Sequence, residues 1–163
     1  MKVKIRGNMV LAILGLLTAM VIPAISQEKA SDNMQIVLEK IRADKKLLVA
    51  ENMELTESEA KAFWPVYDQY QDELFLLRAR TAKLINDYAD AYEKMTNDTA
   101  KNLLDELMII ESLGPKLRQA YLPKFREVLP EVKVVRYYQI ENKIQAALNY
   151  ELAAGIPLMK AGQ

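Results

Sequence analysis

The stretch "LTESEAKAFWPVYDQYQDELFLLRARTAKLINDYADAYEKM", residues 55–95, carries the clearest pattern in the chain. Thr56 is followed three residues later by Glu59, the spacing of a capping box. In such a box the Thr hydroxyl and the Glu carboxylate each serve an amide that the first helical turn leaves without a partner. Beyond the cap, Phe63, Tyr67, Tyr70, Leu74, Leu77, Thr81, Leu84, Tyr88, Ala91 and Met95 recur in steps of four and three. That period of about 3.5 is the seam of a long helix packed along another. Pro65 falls inside the pattern, next to the single Trp, Trp64. A Pro there removes one backbone hydrogen bond and crowds the preceding turn, which predicts a bend.

Working outward, the seam resumes at Leu103, Leu107, Ile110, Gly114, Leu117 and Tyr121. Two stripes joined by the short "TNDT" turn (96–99) predict an antiparallel helical hairpin. The whole chain reads as all-α, with about four helices. The first is expected from about Asp32 to Asn52, capped by Ser31 or Asp32. The second runs from Glu57 to Met95. The third runs from Thr99 to Val128, with interruptions at Gly114-Pro115 and Pro123. The fourth runs from Pro130 to Ala154, stopped by Gly155 and Pro157. At about 1.5 Å per residue the second helix would be on the order of 58 Å long, so an elongated molecule is expected, completed by homodimerisation.

The first 26 residues have another character. Lys2, Lys4 and Arg6 precede an uncharged apolar run from Met9 to Ile22, and Ala24-Ile25-Ser26 offers a small-residue cleavage site. This is the layout of a secretory signal peptide, with an apolar run shorter than a membrane span. The expectation is a signal over 1–26, a single helical domain over 27–163, and a periplasmic location. Three of the 22 basic residues lie in the leader. That leaves 19 against 22 acidic ones, a formal charge of −3 for the remainder. Such a balance makes no electrostatic case for nucleic acid.

There is no His and no Cys. Ser–His and Cys–His catalysis, thiolate zinc sites and the Glu-x-x-His pairs of di-iron bundles are therefore excluded. The five Gly are scattered and form no phosphate-cradling loop. Carboxylates at Asp68 and Asp72, and at Asp105, Glu106 and Glu111, read as solvated helix faces. No catalytic residue, no metal ligand and no cofactor is expected. All 12 aromatics lie beyond residue 60. Their rings either fill a thin core or grip apolar clients. Trp64, Tyr67, Tyr137 and Tyr138 are the candidates for a client or partner surface.

Residues 55–74 also echo 129–148 without gaps. Leu55 falls on Leu129, Glu57 on Glu131, Phe63-Trp64 on Tyr137-Tyr138 and Leu74 on Leu148. With "LTESE" and "LPEVK" opening the two copies, the chain resembles the Spy/CpxP family of periplasmic stress proteins, whose members carry two Leu-Thr-x-x-Gln motifs at helix starts. The resemblance would span about residues 35 to 155. Leu55, Thr56 and Leu129 match the motif; Glu59, Pro130 and Lys133 depart from it. The resemblance implies a cradle-shaped dimer of kinked helices. It implies ATP-independent binding of unfolded envelope proteins or, alternatively, regulatory docking on the periplasmic domain of a membrane stress sensor. Relatives that bind metal do so through His, so that role does not carry over.

Overall fold

The computed structural model describes residues 27–160, with side chains from residue 40 onward. The expected signal peptide lies outside the described residues. Four α-helices and no strand occur among those described: α1 (Gln27–Met53), α2 (Glu57–Ala91), α3 (Asn97–Val128) and α4 (Glu131–Gly155). The fold is all-α, as the periodicity required.

The ends differ from the sequence reading for local reasons. The α1 helix starts ahead of the Ser31 or Asp32 cap, because nothing in Gln27–Ala30 resists helix. The α2 helix does not reach Met95. It tightens into a 3₁₀ turn over Tyr92–Lys94, a common way to end a helix. The "TNDT" segment is not a free turn. Thr96 is the cap, its Oγ1 accepting from the Thr99 amide at 3.1 Å, and α3 begins at Asn97. Pro130 stands just before α4, and its carbonyl accepts the amides of Lys133 and Val134.

The expected interruptions at Gly114-Pro115 and Pro123 do not occur. The α3 helix runs unbroken through both prolines, and α2 through Pro65. Each Pro stands at an exposed position, and so does the residue four before it, Lys61, Glu111 or Gln119. At such positions the hydrogen bond that a Pro removes costs less than it would in the core, so the helices continue.

The chain divides into two compact units. One holds the α1 residues up to Asn52 with Tyr137–Pro157; the other holds Met53–Arg136 with Leu158–Lys160. In the second unit α2 and α3 form the antiparallel hairpin. Tyr70 meets Tyr121 at 5.2 Å between ring centroids, Leu77 faces Gly114, and Arg80 pairs with Glu106. No seam residue from Phe63 to Tyr121 is exposed. Burial is deepest at one end, where Phe63, Tyr67, Tyr70, Tyr121 and Phe125 are 3% exposed or less. Their rings stack at 5.2–6.3 Å. Aromatic pairs at such spacings add to the stabilisation from burial alone.

In the first unit Val49, Tyr137 and Leu148 are buried. So are two charges: Lys45 Nζ donates to Glu141 Oε2 at 2.7 Å, with both side chains 5% exposed or less. A buried pair of this kind balances a large desolvation penalty against close attraction, so removing one partner is far worse than removing both.

Candidate functional site

The LTESE and LPEVK segments meet within the hairpin unit. Thr56 caps α2, accepting from the Glu59 amide at 3.3 Å, while Glu59 Oε2 accepts from the Thr56 amide at 2.8 Å. The same carboxylate oxygen accepts from Lys133 Nζ at 2.9 Å. Glu59 and Lys133 are the two positions where the chain departs from Gln in the Leu-Thr-x-x-Gln pattern. Their opposite charges are complementary across a separation of 74 residues. Lys133 and the Thr56 amide together hold the Glu59 carboxyl below the usual carboxylate range, the lysine being the larger cause.

Lys133 has a second task. Its ammonium also donates to the carbonyl of Glu54 at 2.6 Å, and Arg136 donates to the Glu54 carboxylate at 2.8 Å. Glu54 has φ of 50°, in the left-handed region. For a residue with a Cβ that conformation costs roughly 1–2 kcal/mol. Two cations from the first turns of α4 thus clamp the strained residue that links α1 to α2. Leu129 is buried beside this junction and Leu55 half-buried. Arg126 pairs with Glu131 across the α3–α4 link. Leu55, Thr56, Glu59, Leu129 and Pro130 therefore mark a structural junction. Glu54 and Arg136 complete it but carry no motif signal. The paired departures at Glu59 and Lys133 were the one available clue.

The aromatic candidates separate by burial. Tyr67 and Tyr137 are 1% and 0% exposed, so neither offers a surface to a client. This corrects their placement on a partner surface: both lie on the inward stripe of their helices. Trp64 and Tyr138 are half-buried. Each leans edge-on against the buried ring before it, Trp64 on Phe63 at 5.0 Å and Tyr138 on Tyr137 at 5.5 Å. The echo between residues 55–74 and 129–148 thus extends to burial: the first ring of each pair is interior and the second is partly accessible.

Apolar side chains do reach solvent elsewhere on the hairpin. Leu76, Leu104, Met108 and Ile109 are between 47% and 68% exposed. Leu76 lies one turn from Arg80, and Ile109 one turn from Glu106. The ion pair joining the two arms therefore sits on the same flank as these two side chains. Leu104 and Met108 are four apart on α3 and share a face of it. The pair of arms is also tied by Tyr121, whose hydroxyl donates to Glu73 at 2.6 Å. Burial first, and the Glu73 carboxylate second, push the Tyr121 phenol up to about 12.

Among the described residues there is no group of three or more acidic side chains placed to hold a metal ion. Asp105 is paired with Lys101, and Glu106 with Arg80. No described helix is long and apolar enough to cross a membrane. No family model, no curated protein and no solved structure matches this chain.

Proposed function

We propose that this chain is a non-enzymatic, exported binding protein that holds unfolded or apolar polypeptides without ATP, in the manner of the Spy/CpxP proteins it resembles. The observation that carries the reading is the arrangement on the hairpin. Its seam is satisfied internally, yet Leu76, Leu104, Met108 and Ile109 remain open to solvent among charged neighbours. Long aliphatic and thioether side chains adapt to many apolar shapes, and surrounding charges keep such a surface soluble. The absence of His and Cys supports binding over catalysis.

A stoichiometric amount of the purified protein should slow aggregation of a denatured client, measured by light scattering in the absence of nucleotide. The double variant Leu104→Ser, Met108→Ser should retain its helical circular dichroism and lose most of that effect. An aggregation rate unchanged by the unmodified protein would contradict the reading.

A further inference from the structure

The far end of the hairpin holds a second arrangement that the motif junction and the exposed flanks do not use. After α4 the residues Pro157–Lys160 adopt no regular structure. The part from Leu158 lies on the α2–α3 turn, and three contacts hold it there. The Tyr92 hydroxyl donates to the main-chain carbonyl of Leu158 at 3.0 Å. The Lys160 ammonium pairs with Glu93 at 2.6 Å. The same ammonium stands 5.2 Å from the centre of the Tyr92 ring. Tyr92 is itself braced by Tyr88, edge-on at 5.7 Å. Meanwhile Leu158 is 89% exposed, so the segment is not held by burial of that side chain.

These contacts read a main-chain carbonyl and a cation, two features any polypeptide can present, and none of them is specific to this chain's tail. They are also exposed, and exposed ion pairs and cation–π contacts are individually weak. A segment held this way exchanges readily. We infer that the α2–α3 turn is a binding site for an extended polypeptide segment carrying a Lys two residues after the main-chain carbonyl it reads, and that the chain's own Leu158-Met159-Lys160 occupies it in cis until a client segment displaces it. Tyr92 would orient the main chain of the incoming segment, and Glu93 with the Tyr92 face would take its ammonium. Tethering raises the local concentration of the tail to the order of millimolar, so the tail acts as a gate against weak competitors. The inference rests on the client-holding reading and adds a location and a sequence preference to it.

The test uses the full chain, its Lys160→Glu variant, and a synthetic peptide of residues 156–163 as the probe. In amide NMR titrations the peptide should shift residues 88–96. It should bind the variant roughly threefold to tenfold more tightly than the unmodified chain, because the tethered competitor is weakened. A peptide carrying the same Lys→Glu change should not bind, and Glu93→Gln in the variant should weaken binding again. Equal affinity for both chains, or shifts away from 88–96, would overturn the inference. If Lys160→Glu perturbs folding, the unmodified chain still decides the matter. Excess peptide must then move the Leu158 carbonyl carbon and the Lys160 side-chain resonances to their free-chain positions, and their staying in place would overturn the site. Aggregation assays on the same samples separate the two readings. Peptide binding at the turn without slowed aggregation would remove the client-holding role and leave the site; slowed aggregation without peptide binding would do the reverse.

Discussion

At one end of the α2–α3 hairpin five aromatic rings pack against one another out of contact with water; at the other, a tyrosine and a glutamate hold a strand of chain through exposed contacts. Both ends use aromatic and charged residues, but in different surroundings. Phe63 and Phe125 are completely buried, and their rings lie 5.8 Å apart. Each therefore gains the full benefit of leaving water, and the surrounding side chains cannot rearrange cheaply around a smaller residue. Lys160 and Glu93 are 45% and 72% exposed, so water competes for both partners. The first end fixes the relation of the two arms. The second leaves a contact that can be exchanged, which a binding protein needs and a packed core does not supply.

The largest expected effect follows from the closed end. Phe125→Ala should lower stability by about 3–5 kcal/mol, read from denaturant unfolding. A loss below about 1 kcal/mol would mean the aromatic end is no better anchored than the turn, and the comparison would fail.

A smaller effect separates the hydroxyl of Tyr121 from its ring. Tyr121→Phe keeps the ring contacts and removes the bond to Glu73, for a loss of about 1 kcal/mol near neutral pH. The phenol is raised from about 10 to about 12 in the folded chain. Its contribution is therefore complete below pH 10 and is lost as the pH climbs from 10 towards 12, where the unfolded chain ionises first. The variant should lose that part of the alkaline slope, so titrating both proteins between pH 9 and 12 checks the assignment.

The smallest effect concerns the motif junction. Glu59 is held below its ordinary value by Lys133 and the Thr56 amide. Its contribution is present above pH 4.5 and is lost as the pH falls through the lowered folded value. Glu59→Gln restores the residue of the Leu-Thr-x-x-Gln pattern and can still serve the Thr56 amide. It should flatten the acid limb of stability and lower the neutral value by the amount that limb loses. An unchanged acid limb would show that the Lys133 pair does not contribute.

How much of this was legible in advance follows from the range of each interaction. The seam from Phe63 to Tyr121 and the cap at Thr56 and Glu59 are local in sequence, so spacing alone revealed them. The fate of Pro65, Pro115 and Pro123 was not visible. It depends on which face of the helix each Pro occupies after packing, and all three lie at exposed positions. The left-handed Glu54 gave no warning, since no Gly or Asn marks it. Its clamp reaches from residues 133 and 136, far along the chain. The inward placement of Tyr67 and Tyr137 leaves no mark in the sequence, because a ring on a helix reads the same whether it faces inward or outward. The tail contact at Tyr92 joins residues 66 apart through a main-chain atom, which leaves no trace in side-chain pattern.

Hydrogen exchange of the full chain, with and without a denatured client, tests the central claim most directly. The account predicts that a client slows exchange at residues 88–96, while amides near Phe63 and Phe125 stay as they were. Changes centred on Phe63 and Phe125, or no change at residues 88–96, would contradict it.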